Sequence, residues 1–136
     1  MKKYLLDTSI VAFLFRGKYG IGQHLSKLDA TQCFVSDVTI AELTYGAYHS
    51  ERVQYNLEMI EQFTKIVTVV PFDVAIDEYG RQKSRLVKSG QMIEDFDLLI
   101  GCTAIACGMV MVTDNTKHYS RIEGIKLENW VDRQGI

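Results

Sequence analysis

Asp7 closes a short apolar run, Tyr4-Leu-Leu6, and is followed at once by Thr8 and Ser9. Asp114 stands the same way behind Met109-Val-Met-Val112 and Thr113. Glu42 lies a few residues into the stretch that begins at Ser36, and Asp97 follows Glu94 and Asp95 at the head of another. Singly, each acid has an ordinary explanation. Asp7 and Asp114 suit helix caps or turns, Thr39-x-x-Glu42 matches a capping box, and Asp97 suits the positive end of a helix dipole. Jointly they suggest chemistry. Carboxylates held within a few ångströms of each other raise one another's pKa and cost stability. Such a group calls for a cation, and hard oxygen ligands with open positions suit Mg²⁺ or Mn²⁺.

The elements that would position these acids can be read from periodicity and breakers. Strands are expected at Tyr4–Leu6, Gln32–Val35, Ile66–Val70, Met109–Val112 and, briefly, near Ile125–Leu127. Helices are expected over 10–15, 21–29, 36–50, 52–66, 73–89 and 94–106, with Gly90 and Gly108 as stops. Strands alternating with helices imply a three-layer α/β/α fold around a mainly parallel sheet. In such a sheet the strand C-termini and the N-termini of the following helices share one edge, where ligands bind. Asp7, Glu42, Asp97 and Asp114 all fall at such ends. Trp130 is expected to pack as a terminal anchor.

The 136 residues fit one domain, 1–136, without a linker or repeat. The chain is 47% hydrophobic and carries a net charge of −2, so it lacks a global basic footprint for nucleic acid. A metal ion or a local basic face would have to supply what bulk charge does not. Arg81, Arg85 and Lys88 share one face of the expected 73–89 helix. The plainer reading is a solvated face favoured by the dipole; the alternative is a stripe contacting RNA phosphates. Arg16 and Lys18 form a second basic candidate. Thr8, Ser9 and Thr113 are hydroxyls suited either to capping or to holding a water or a phosphate oxygen. His24, His49 and His118 lack metal-ligand spacing. The three cysteines, an odd and widely spaced set, read as reduced thiols of a cytoplasmic protein. No apolar run is long enough to span a membrane.

Four ordered blocks carry a resemblance. They are Leu5-Leu-Asp-Thr-Ser-Ile10, Val35-Ser-Asp-Val-Thr-Ile-Ala-Glu-Leu-Thr-Tyr-Gly-Ala47, Ile93-Glu-Asp-Phe-Asp-Leu-Leu-Ile-Gly101, and Val112-Thr-Asp-Asn-Thr-Lys-His-Tyr119 with Leu127-Glu-Asn-Trp130. Together, over nearly the full length, they resemble the PIN-domain family and within it the VapC-type toxin ribonucleases. The resemblance implies a Mg²⁺-dependent endoribonuclease, the toxin of a toxin–antitoxin pair. It carries over Asp7, Glu42 and Asp97, with Asp114 as fourth acid or Asn115 in its place. Asp7, Asp97 and Asp114 would hold metal, and Glu42 would ligate a second ion or orient the attacking water. Glu94 and Asp95 exceed the pattern and have no role in it. The implied partners are an RNA substrate, a VapB-like antitoxin, a second copy of the chain and a larger toxin–antitoxin assembly. The alternative is a catalytically inactive PIN-like module that binds RNA or protein.

Overall fold

The computed structural model describes residues 1–134, so positions 135 and 136 of the expected domain lie outside the described residues. Five strands form one sheet: β1 Tyr4–Leu6, β2 Cys33–Ser36, β3 Thr68–Val70, β4 Val110–Val112 and β5 Leu127–Glu128. Their order is β3-β2-β1-β4-β5, and every pairing is parallel. The chain builds outward from β1 on one side and then crosses to β4 on the other. The topological switch therefore lies between β1 and β4, the place where an open α/β sheet leaves a crevice at its carboxyl edge. Leu6 pairs with Val112, and the Asp7 amide bonds the Val112 carbonyl at 3.0 Å. Asp7 and Thr113 are thereby set side by side at that crevice.

Strand alternation divides the core. Leu5 and Met111 face one layer with Leu86, Leu98, Ile100 and Ile122. Leu6, Val35 and Val112 face the other with Ile10, Val11, Ile21 and Phe63. The covering helices are α1 Thr8–Phe15, α2 Ile21–Ser26, α3 Asp37–Tyr48, α4 Val53–Thr64, α5 Ile76–Ser89, α6 Asp95–Cys107 and α7 Thr116–Tyr119. The result is the three-layer parallel fold expected from the alternating pattern. Trp130 is buried, stacked on His24 and edge-on to Tyr4, as a terminal anchor should be. Among the described residues no helix is long and apolar enough to cross a membrane.

Several boundaries differ from the sequence reading, each for a local reason. Ile66 and Val67 do not begin β3, because their amides bond the Phe63 carbonyl and close α4. The 73–89 helix opens instead as a 3₁₀ turn, Phe72–Ala75, behind the extended Pro71; the Phe72 amide is drawn to Asp37 Oδ1 at 3.0 Å. The last strand lies later than 125–127, because β4 takes its bonds from the Lys126 and Glu128 carbonyls. The helix α7, four residues long, was too short to leave a periodic signal.

One glycine lies in close packing with a neighbouring side chain. Gly101, buried in α6, faces the turn after α7, and a Cβ there would press on the tip of the Ile122 side chain.

Candidate functional site

Asp7 is the N-cap of α1 and is only 5% exposed. Its Oδ1 accepts from the Ile10 amide and from the Ser9 hydroxyl, both at 2.9 Å. Its Oδ2 accepts from the Thr113 hydroxyl at 2.6 Å. Burial nonetheless pushes its carboxyl above the ordinary range, against those three hydrogen bonds and with help from the charge of Asp97.

Glu42 comes from the second turn of α3. The expected capping box is absent, because Ser36 caps this helix, accepting from the Val38 amide at 3.1 Å. Glu42 is thereby released to meet α1: Thr8 donates to its Oε1 at 2.6 Å, and Thr39 Oγ1 lies 3.1 Å from the same hydroxyl. Burial raises the Glu42 carboxyl, and the charges of Asp97, Glu94 and Asp7 raise it further.

Asp97 lies in the first turn of α6, half-buried. His118 Nε2 stands 3.5 Å from its Oδ2. Burial pushes the Tyr119 phenol far up, and the fields of Asp7, Asp97 and Glu42 all act on it in the same direction. Three carboxylates from three separate elements therefore share one field at the carboxyl edge of β1 and β4.

Asp114 is not brought into this group. Arg133 grips its carboxylate with both terminal nitrogens, at 2.9 and 2.6 Å, and Asn129 Nδ2 adds a contact at 3.2 Å. The Arg133 guanidinium holds the Asp114 carboxyl below its ordinary range. The physical reason is alternation: Thr113, not Asp114, is the residue beyond β4 that turns towards Asp7. Asn115 is exposed, and its amide bonds Thr113 Oγ1 at 3.0 Å. Asp95, unassigned from sequence, ties α6 to α5: Lys83 Nζ and the Tyr79 hydroxyl both reach its Oδ1 at 2.8 Å. Glu94 is exposed but contributes its charge to the field on Glu42.

The basic stripe on α5 also needs correction. Arg81 is engaged by Asp77 and Glu78, its own helix's first-turn acids. Arg85 donates to the Arg121 carbonyl at 2.7 Å and to Gln82 Oε1 at 2.9 Å, and lies 3.7 Å from Glu123. These contacts hold α5 to the turn after α7, leaving Lys88 exposed at the helix end rather than a free row of three cations. Arg16 is exposed and lines a groove of about 440 Å³ with Glu42, Phe15, Leu43, Tyr55 and Met59.

Charge balance separates the acids into two kinds. Asp95 and Asp114 are each paired with a cation. Asp7 and Glu42 are held by neutral hydroxyls, which orient a carboxylate and leave its charge available. That donor set suits a hard divalent ion. Among the described residues, no three acidic, histidine or cysteine side chains stand close enough to ligate one ion directly. Mg²⁺ tolerates this, since it keeps several of its waters and needs only one or two carboxylates. His118 was missed as a neighbour of Asp97 because α7, four residues long, offered no periodic pattern.

The family model of the PIN domain matches residues 4–124. The chain is 32% identical over 131 residues to the tRNA(fMet)-specific endonuclease VapC of Shigella flexneri, spanning 96% of this chain and 99% of that protein. It is 32% identical over 133 residues to a ribonuclease VapC of Haemophilus influenzae, spanning 96% and 100%. The crystal structure of DNA-bound VapBC from Salmonella typhimurium superposes with a TM-score of 0.88 at 29% identity, covering 96% of this chain and 99% of that one.

Proposed function

The chain belongs to the PIN-domain family, and from that premise we propose that it is a metal-dependent endoribonuclease, the toxin of a toxin–antitoxin pair. The observation that carries this reading is the shared field of Asp7, Glu42 and Asp97, three separated acids meeting at the switch point of the sheet. An inactive binding module would have no use for a buried carboxylate and two half-buried ones whose charges oppose one another.

Asp7 and Asp97 would hold such an ion, Mg²⁺ or Mn²⁺. A divalent ion there would supply Lewis acidity, easing deprotonation of a water and offsetting charge on the phosphate oxygens. Thr113, Ser9 and the Ile10 amide keep the Asp7 carboxylate fixed throughout. Thr8 occupies Glu42 Oε1, which leaves Oε2 to orient the attacking water and take its proton. A raised carboxyl is the better base for that step. The water oxygen bonds to phosphorus as the bond to the 3′ oxygen breaks, and that oxygen leaves with a proton from solvent. The fragments carry a 5′-phosphate and a 3′-hydroxyl.

For the partner, the solved relatives are VapBC complexes. The apolar groove that opens at Glu42 supports docking of a VapB-like antitoxin across the acids. Exposed Phe72 and Phe96 line a second apolar face, which supports self-association and a larger toxin–antitoxin assembly.

The test is cleavage of RNA by the purified chain with Mg²⁺, with sequencing of fragment ends. Metal-dependent cuts leaving 5′-phosphates are expected. The Asp114→Asn variant is expected to stay within about threefold of the parent, as for a surface change away from the site. Failure to cut any RNA in Mg²⁺ or Mn²⁺ contradicts the proposal, and a large loss in Asp114→Asn returns that acid to the site.

A further inference from the structure

The segment beyond β4 reaches two acids of the site. Thr113 donates to Asp7 Oδ2 at 2.6 Å. The Asn115 amide bonds Thr113 Oγ1 at 3.0 Å, and the Tyr119 amide bonds the Asn115 carbonyl at 3.2 Å, so α7 is tied to the residue that holds Asp7. From there His118 falls beside Asp97. Its Nε2 is buried, stands 3.5 Å from Asp97 Oδ2 and makes no hydrogen bond. The ring is set edge-on against Tyr119 at 5.3 Å. The other two histidines are exposed and placed elsewhere, His24 stacked on Trp130 and His49 on Tyr45.

A buried polar atom without a partner calls for an explanation. Were Nε2 to carry a proton, it would be a donor facing a carboxylate, and such pairs close to about 2.7–2.9 Å. It stands off at 3.5 Å instead, as two lone pairs do. With the proton on Nδ1, Nε2 presents a lone pair. A cation is what joins two such groups. Ligands about 2.1 Å from one ion, near right angles, stand roughly 3 Å apart, close to the separation seen.

Resting on the reading of the site given above, we propose that His118 Nε2 joins Asp97 as a direct ligand of the divalent ion, and that the site therefore takes Mn²⁺ in preference to Mg²⁺. Imidazole suits transition ions, whereas Mg²⁺ keeps to oxygen. Asp7 reaches the same ion through water, since no three such side chains among the described residues stand close enough to bind one ion directly. The proposal also says what the segment beyond β4 contributes. Asp114 is gripped by Arg133, so the group this segment offers to the metal is His118.

The experiment is electron spin-echo spectroscopy of Mn²⁺ bound to the full chain, beside thermal melts titrated with Mn²⁺ and with Mg²⁺. The parent should show modulation from one coordinated ¹⁴N, which changes to the ¹⁵N pattern when the protein is labelled with ¹⁵N-histidine. His118→Gln should lose that modulation and raise the Mn²⁺ concentration for half-maximal shift by about 10-fold or more, at least the loss seen for groups that only orient a ligand. Its Mg²⁺ midpoint should move less, and His49→Gln should match the parent. Mn²⁺ bound by the parent without nitrogen modulation overturns the ligand role and leaves the acidic metal site standing. Tighter Mn²⁺ binding by His118→Gln overturns it too, because the ring would then be a cation competing with the metal. A parent that binds no Mn²⁺ overturns both readings. Should His118→Gln fail to fold, the double variant His24→Gln/His49→Gln leaves His118 as the only histidine, and loss of the modulation there overturns the proposal equally.

Discussion

Asp7→Asn is expected to reduce RNA cleavage by about 10³-fold or more, on the scale of removing a preorganised charge from an active site, while making the metal-free protein more stable at neutral pH. The two effects have opposite signs and a common cause. Asp7 is nearly inaccessible, and its charge is opposed by that of Asp97. Asparagine keeps Oδ1 for the Ile10 amide and the Ser9 hydroxyl, turns its Nδ2 towards Thr113 Oγ1, which can accept in place of donating, and carries no charge to bury. The pH dependence follows from linkage. Burial raises the Asp7 carboxyl in the folded chain above its unfolded value, and Glu42 behaves alike. Such groups contribute stability that is complete below the unfolded pKa and is lost as pH rises through the folded one. The parent should therefore lose stability relative to Asp7→Asn as pH climbs from the acidic side through the raised carboxyl range. Taking the difference between the two proteins removes the opposing contributions of Asp29, Asp95, Asp114 and Glu128, whose carboxyls are lowered. Melts in chelator across pH, beside cleavage assays in Mg²⁺, check both halves. Equal stability at every pH would mean that the Asp7 charge is not under strain.

Gly101→Val is expected to destabilise the fold by about 3 kcal/mol, the upper part of the usual overpacking range, or roughly 10 °C in Tm for a chain of this size. The nearest atom, Ile122 Cδ1, belongs to a side chain that is 1% exposed and has little room to turn aside. The displaced turn also carries Arg121 and Glu123, whose backbone groups bond Arg85 and Gln82 on α5. A urea melt measures the loss. Stability equal to the parent would show that the seam between α6 and the α7 turn is loosely packed.

Much of this architecture was legible in the chain because it rests on short-range chemistry. The apolar run before Asp7 and the β-branched runs at Val35 and Val69 announce strands, and Gly90 and Gly108 stop helices in the left-handed conformation a side chain would resist. Parallel order followed from the alternation of elements. The convergence of Asp7, Glu42 and Asp97 was legible for the same reason, since each sits at an element end of known polarity. Asp114 was misjudged because its neighbour decides which residue turns inward: the register of β4 against β1 gives that place to Thr113. The cation that occupies Asp114 comes from Arg133, beyond the last strand, at a distance no local pattern reports. Arg81 and Arg85 were left between a solvated face and a phosphate-contacting stripe. Helical spacing correctly put them on one helix, but not that Glu78 and the Arg121 carbonyl would engage them.

The central claim is that Asp7 and Asp97, with Glu42 beside them, form a seat for a hydrated divalent cation. Thermal denaturation of the parent and of Asp7→Asn, titrated with Mg²⁺ and with Mn²⁺, measures it directly. The parent should gain stability with the logarithm of metal concentration, about 2.7 kcal/mol at one hundred times Kd, and Asp7→Asn should gain far less. A parent that melts at the same temperature with and without millimolar metal, or a variant that responds as strongly as the parent, would contradict the account.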